Sequence, residues 1–299
     1  MRKKQLLRQI PLHAMLLPAI ILVAVYSYGP MAGAIIAFEK FNPAKGIFGS
    51  PFVGWDNFTY LFALPDTGQV IWNTIVIALL KIITGLMVPI IVALLLNEIR
   101  AKLIKRGIQT LIYLPHFLSW VILGGILIDI LSPSEGIVNQ IIVFFGGDPI
   151  FFLGNPEWFR FTLIVSDIWK EFGFSTIVFL AAISGVDLAL YEAAIIDGAG
   201  RFKQTLHVTL PGMLPIIVLV ATLSLGNVLN AGFDQVFNLY SPQVYKTGDI
   251  LDTFVYRIGL VETQYGVATA VGLFKSVVSC GFIAVSYYMA YRLANYRIF

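Results

Sequence analysis

Residues 166–174 read SDIWKEFGF and place Asp167, Lys170, Glu171 and Phe174 at i, i+3, i+4 and i+7, one face of a helix. Asp167 can pair there with Lys170, or with Glu171 through a shared cation, and Trp169 lies next to that face. Ser224, Asn227, Asn230 and Asp234 form a second polar stripe, and His116, Ser119, Trp120 and Asp129 a third set, all in oily surroundings. Amides and carboxylates bind hydroxyls, and aromatic rings cover C–H faces. The chemistry on offer is therefore binding of a polyhydroxylated ligand such as a sugar. Trp120, Trp169, Lys170, Glu171, Asn227 and Asn230 are the candidates for lining a translocation path. The alternative is hydrogen bonding between helices that holds a bundle together, the better reading for Ser119, Ser224 and Asp129. Lys81 and Lys275 either snorkel or pair with an acid on a neighbouring helix.

Bond-breaking chemistry finds no support. G-x-x-x-x-G-K-[ST], G-x-S-x-G and H-E-x-x-H do not occur. His13, His116 and His207 are far apart in sequence, and the single cysteine, Cys280, excludes a thiolate metal site and an intrachain disulfide. Cys280 is expected as a buried, inert thiol, and His207 as an ordinary surface histidine. The chain reads as non-catalytic, with no cofactor of its own. Its basic residues are too few and too close to apolar runs for nucleic acid; contact with anionic membrane lipid accounts for them.

The elements that carry these residues follow from composition. Of 299 residues 58% are hydrophobic and 12% charged, against about 25% charged in a soluble domain. A membrane span needs about 20 predominantly apolar residues, and its backbone polar groups must be satisfied within the segment. Six helical spans are expected, at about 13–38, 70–97, 109–131, 161–184, 212–233 and 265–292, in one transmembrane domain over 1–299. The first run is too long for a cleaved leader and lacks a cleavage site, so it is expected to be retained.

Lys and Arg set the orientation. Arg2, Lys3, Lys4, Arg8, Arg100, Lys102, Lys105, Arg106, Arg201, Lys203, Arg292 and Arg297 fall on one side, and Lys40, Lys45, Arg160, Lys246 and Arg257 on the other. The richer side is cytoplasmic, which puts both termini inside. The loops at 39–69 and 132–160 lie outside and are rich in Gly, Pro, Asn and aromatics. They serve either to dock an external partner or to pack at the membrane interface, with Trp55 and Trp158 among the headgroups.

Residues 185–211 lie on the cytoplasmic side, GVDLALYEAAIIDGAGRFKQTLHVTLP. Asp187 is placed to cap a helix and Glu192 lies early in it. Ala194 and Gly198 form a smooth strip for close approach. Gly200 is expected to end the first helix, and Pro211 to stop a second. The product is a helix–turn–helix knob.

This loop resembles the EAA signature of ABC importer permeases, E-A-A-x-x-x-G followed by a hydrophobic-x-L-P element. Here it is Glu192, Ala193, Ala194, Gly198, then Val208, Leu210 and Pro211, with Asp197 and Ala199 completing the D-G-A form found in carbohydrate permeases. IWNTIVIAL, YLPHFLSWVI, DIWKEFGFSTIVFLAAI and VGLFKSVV extend the likeness to the MalF-like or LplB-like group of binding-protein-dependent sugar permeases.

The resemblance implies an all-α type I ABC importer permease with a cytoplasmic coupling helix in the bacterial cell membrane. It implies a second permease subunit, two ATPase subunits that bind ATP and Mg, and an extracytoplasmic solute-binding protein. Glu192 would pair with a basic residue in a cleft of the ATPase, and closure of the two ATPases would flip the membrane halves. The implied cargo is an oligosaccharide; Lys170 would tolerate an acidic one such as an oligouronide. A non-sugar solute, a stand-alone secondary carrier and an intramembrane enzyme are the rivals.

Overall fold

The computed structural model describes the backbone of residues 2–294 and the side chains of 13–288. The cationic side chains of the N-terminal segment and of Arg292 and Arg297 lie outside these described residues, as does the far end of the sixth expected span. Contacts divide the chain into two units, 1–64 with 255–274 and 65–254 with 275–299.

In the first unit, α1 (Arg2–Val23) runs on through a π turn, Ala24–Tyr28, into a 3-10 stretch, Gly29–Phe38, with Pro30 in its first turn. Its side chains from His13 through Pro30 are exposed along the whole run. Two short helices follow, α2 (Gly46–Gly49) and α3 (Asp56–Ala63). Asn57 clamps the loop by donating to the carbonyls of Ala37 and Glu39, both at 2.9 Å. Phe38, Trp55 and Phe58 pack together with centroids 4.9–5.4 Å apart. Trp55 and Phe52 remain largely exposed.

The second unit contains α4 (Thr67–Glu98), α5 (Lys102–Tyr113), α6 (Trp120–Ile130), α7 (Ile137–Phe144), α8 (Pro156–Ser184), α9 (Leu188–Ile196), α10 (Arg201–Gln204), α11 (Leu210–Gly226), α12 (Phe233–Leu239) and α13 (Tyr245–Gly248). It closes with α14 (Leu251–Tyr256) and α15 (Tyr265–Ala294), each of which straddles the boundary between the units. Among the described residues four helical stretches are long and apolar enough to cross a membrane: 13–38, 67–98, 201–226 and 265–288. The count reaches six when two bent pairs are each taken as one span, α5 with α6 and α8 with α9.

Three expectations change. The third span is not one rod: a 3-10 turn at Leu114–Phe117 ends its first half, Leu118 and Ser119 are extended, and the halves meet at 104°. Pro115, which has no amide hydrogen, sits in that turn. The fifth span is 201–226 rather than 212–233, because Asn227, Asn230 and Gly232 interrupt the helix after Gly226. Pro211 stops nothing. It occupies the first turn of α11, and a π turn at Thr205–Thr209 carries the helix into it from α10. A π turn of this kind shifts the hydrogen-bond ladder where a proline amide is missing.

The core of this unit is where α4, α8 and α11 meet: Ala93, Phe179, Ile183 and Met213, with Ile90 and Ile217 around them. On the opposite flank Asn73 donates to the carbonyl of Asp249 (3.1 Å) and accepts from Arg160 (2.6 Å), which locks α4 and α8 to the α13 region. Lys275 of α15 pairs with Asp252. Cys280 is exposed rather than buried. The final helix turns that face away from the protein, where an apolar residue meets lipid.

The tightest crossing is α5 on α8. A Cβ added at Gly173 would come within 1.9 Å of the Ile112 carbonyl oxygen. Gly173→Val is therefore expected to cost at least 1–3 kcal/mol, roughly the range of core overpacking. Thermal unfolding in detergent measures it, and an unchanged midpoint would mean that the two helices can separate freely.

Candidate functional site

One end of the polar region is a cavity of about 490 Å³ between α4, α8 and the broken end of α11. It adjoins the apolar core, since Phe179 of the core and Val220 packed against it both line the cavity. Its polar lining is Lys81, Asp167, Glu171, Ser175, Ser224, Asn227 and Asn230, and its apolar lining includes Phe174, Val178 and Val220.

Lys81 is the hub. Its ammonium lies 3.1 Å from Asp167 Oδ1, donates to the Ala231 carbonyl at 2.8 Å, and donates to Gln235 Oε1. That uses all three of its protons. Gln235 is fully buried and passes the network on, donating to the Leu163 carbonyl (2.7 Å) and Ser166 Oγ (2.8 Å). The segment after α11 is held by Lys81 together with short turns, in which the Val228 amide donates to the Leu225 carbonyl at 3.2 Å and the Asn230 amide to the Asn227 carbonyl at 2.8 Å. Gly232 makes this possible: its φ is +93°, and a Cβ there would sit 2.8 Å from Lys81 Nζ.

Glu171 enters the cavity from one turn further along α8. Its Oε2 contacts His116 Nδ1 at 2.8 Å, and the His116 ring stacks on Phe174, centroids 4.1 Å apart and 4° from parallel. Asn227 and Asn230 line the opposite wall from the break after α11. Of the six path candidates, Glu171, Asn227 and Asn230 are thus brought together.

The other three are not on this cavity. Lys170 is buried and donates to the carbonyls of His116 (2.6 Å) and Leu118 (2.9 Å), where it fills the polar gap left by the broken third span. It does not reach Asp167, and its ammonium lies 5.8 Å from the Trp120 ring centroid, which places Trp120 in the same knot. Trp169 lines a separate apolar pocket with Leu127, Val138, Phe152 and Phe161. One residue on a helix is a 100° turn, enough to swing Trp169 off the face of Asp167 and Glu171. Ser224, read as a bundle contact, does line the cavity, while Ser119 caps α6 through the Ile122 amide at 3.4 Å.

Spacing alone leaves Lys81 open between snorkelling and pairing, because its partners lie 86 and 154 positions away. The signal for its importance was the bare fact of a lysine within a span, where an ionised group costs about 2.5–3.5 kcal/mol and calls for a partner.

At the other end of α8 is the knob. Asp187 accepts from the Ala189 amide at 2.9 Å and starts α9. The helix ends one turn before the expected stop. Gly198, with φ +75°, makes the reversal, and the Ala199 amide returns to the Ala194 carbonyl at 2.8 Å. Gly200 instead sits at the start of α10. The strip for close approach is therefore Ala193 and Ala194 alone, since Gly198 lies beyond the helix. Glu192, Ala193 and Asp197 are exposed, Ala194 and Ala199 half-exposed, and Leu188, Ile195, Ile196 and Phe202 present bare apolar surface. Tyr191 turns inward to Thr209 at 2.9 Å, and Arg201 pairs with Glu98 at the end of α4 at 2.8 Å. Leu210 and Pro211 lie at the root of the knob, in the first turn of α11. His207 is exposed and contacts its own helix at the Lys203 carbonyl.

Residues 85–233, from the lower half of α4 through the broken end of α11, match the family described as binding-protein-dependent transport system inner membrane component. The polygalacturonan/rhamnogalacturonan transport system permease protein YteP of Bacillus subtilis (strain 168) is 45% identical over 97% of this chain and 89% of its own length. The chain belongs to this family of importer membrane components. Protein LplB of the same organism is 40% identical over 96% of this chain and 91% of its own. Among solved structures, a crystal structure of a bacterial alginate ABC transporter, in complex with an alginate pentasaccharide-bound periplasmic protein, contains a chain that superposes with a TM-score of 0.90. That chain is 39% identical, with 97% of each chain covered. As a family member the chain is a transporter permease subunit, with an all-helical fold shared with ABC importer permeases.

Proposed function

We propose that this chain forms one half of the membrane pathway of an ATP-driven, binding-protein-dependent importer of oligosaccharides that carry carboxylates. The observation that carries this reading is the cavity, where two amides, two carboxylates and one ammonium converge from three helices around apolar walls. Lys81 replaces Lys170 as the cation of the path. A sugar carboxylate arriving there shares the Lys81 ammonium with Asp167, so that neither partner of the pair is left stranded. The relatives named for polygalacturonan/rhamnogalacturonan and alginate support the acidic class.

The exposed knob at 188–204 is read as the coupling element. Its apolar residues and Glu192 seat in a partner ATPase that binds ATP and Mg, two copies serving the two permease halves. The bare face of the 13–38 run covers the second permease, and a solute-binding protein docks outside. Both termini are cytoplasmic.

Uptake of labelled oligogalacturonides by cells expressing the whole system tests the reading. Asn227→Ala and Asn230→Ala are expected to raise the KM for uptake severalfold while basal ATP hydrolysis holds. Uptake that prefers neutral oligosaccharides, or that runs on an ion gradient without ATP, would overturn the assignment.

A further inference from the structure

Helix α5 is divided lengthwise. Lys102, Lys105, Arg106, Gln109 and Thr110 fall on one side, and Leu103, Ile104, Gly107, Ile108, Leu111 and Ile112 on the other. Three arcs have three different surroundings. The arc at Lys105, Ile108 and Ile112 is half-buried, and the Ile112 carbonyl presses on Gly173 of α8. The arc at Leu103, Ile104 and Leu111 is bare, with 85%, 59% and 71% of these residues exposed. The arc at Lys102 and Arg106 is also exposed. Arg100 precedes the helix, and residues 99–113 contain no acid. Glu98, the nearest carboxylate in sequence, is occupied by Arg201. Among the described residues none of the four cations has an ion-pair partner.

The direction of the helix makes these arcs meaningful. The Lys102–Phe117 stretch meets α6 at 104°. Ile112 meets Gly173 about 16 Å from the end of α8 that turns into α9, whereas Glu98, four residues before α5, is tied to Arg201 of the knob. Helix α5 therefore climbs along α8 from the knob end, with its cations gathered in its first five residues at the level of the phosphates and its bare apolar arc against the acyl region.

We propose that α5 is a binding site for anionic phospholipid headgroups. Arg100, Lys102 and Arg106 receive the phosphates, with Lys105 at the bundle edge, while Leu103, Ile104 and Leu111 lie against the acyl chains. Charge complementarity favours lipid over a protein partner here, because the cations border the apolar arc rather than surround it.

The purified full chain, reconstituted in phosphatidylcholine vesicles with spin-labelled phosphatidylglycerol or phosphatidylcholine, reads the preference as the ratio of motionally restricted label. The chain is expected to prefer phosphatidylglycerol severalfold. R100Q/K102Q/K105Q/R106Q is expected to bring the ratio close to one, with single changes each removing only part of the preference. R2Q/K3Q/K4Q/R8Q, which removes as many cations at the N-terminus, is expected to keep most of the preference. A photocrosslinker at Leu103, with all four cations intact, is expected to capture phospholipid. No preference in the unaltered chain, loss of preference only in the N-terminal variant, or capture of protein at Leu103 would each overturn the site.

Discussion

Glu192→Lys is expected to abolish transport-coupled ATP hydrolysis while the protein still reaches the membrane. The substitution lies on an exposed helix and touches no core residue, so the fold has no reason to suffer. Surface changes of that kind stay within about 0.5 kcal/mol. What changes is the sign of Glu192, which lies on the exposed face of a knob that also presents Leu188, Ile195, Ile196 and Phe202. If a partner cleft meets it with a basic group, an attraction becomes a desolvated like-charge contact, which costs several kcal/mol in an interface. A loss of on the order of 100-fold or more in coupled hydrolysis follows. Coupled turnover in the assembled transporter, measured beside membrane content by immunoblot, decides the matter. Normal coupling in the variant would remove the knob from the mechanism, and absence from the membrane would show that the residue serves folding instead.

Breaking the Lys81 hub is the second large effect. Lys81→Met leaves Asp167 without its ion-pair partner in a site where the carboxylate side chain is 23% exposed, and removes hydrogen bonds to Ala231 and Gln235. Removal of one member of a buried pair costs about 3–5 kcal/mol. Removal of both members leaves no stranded charge, so Lys81→Met with Asp167→Leu is expected to recover more than half of that loss in the thermal midpoint. Recovery of stability need not restore transport. The double variant keeps the fold and lacks the cation that meets a sugar carboxylate, so uptake of oligogalacturonides is expected to stay low. A single variant as stable as the parent would show that Lys81 is solvated rather than paired, and a double variant that transports normally would take the hub out of the pathway.

Sequence alone carried the knob furthest, because its information is linear. Asp187, Glu192, Gly198 and Pro211 lie within 25 consecutive positions, and local backbone rules govern most of what they do. Even there, the choice of Gly198 over Gly200 as the reversal point depended on which glycine took a positive φ, and two glycines two residues apart give no local reason to choose. The spans were legible as apolar runs, but their breaks were not. The span that contains Pro115 turns by 104° at Leu118 and Ser119, while Pro89 and Pro215 stay inside continuous helices, since tertiary neighbours decide whether a freed carbonyl is satisfied elsewhere. The cavity was half legible. Residue type points to Glu171, Asn227 and Asn230, which line the cavity, whereas Lys170 and Trp169 lie off it, because a helical face read from spacing is broad and only packing says which part of it is filled. The Lys81 network joins four separate segments, and no spacing rule reaches that far.

The contact between Gly173 and the Ile112 carbonyl has a mechanical consequence. Helix α8 is a rod of 29 residues, about 43 Å. It is pinned against α5 at Gly173, about 16 Å from the end that turns into α9 and about 9 Å from Asp167. Gly173 is thus a fulcrum with unequal arms. A sideways push at the α9 end swings Asp167 in the opposite sense through roughly half the distance, which shifts it against Lys81, its ion-pair partner at 3.1 Å.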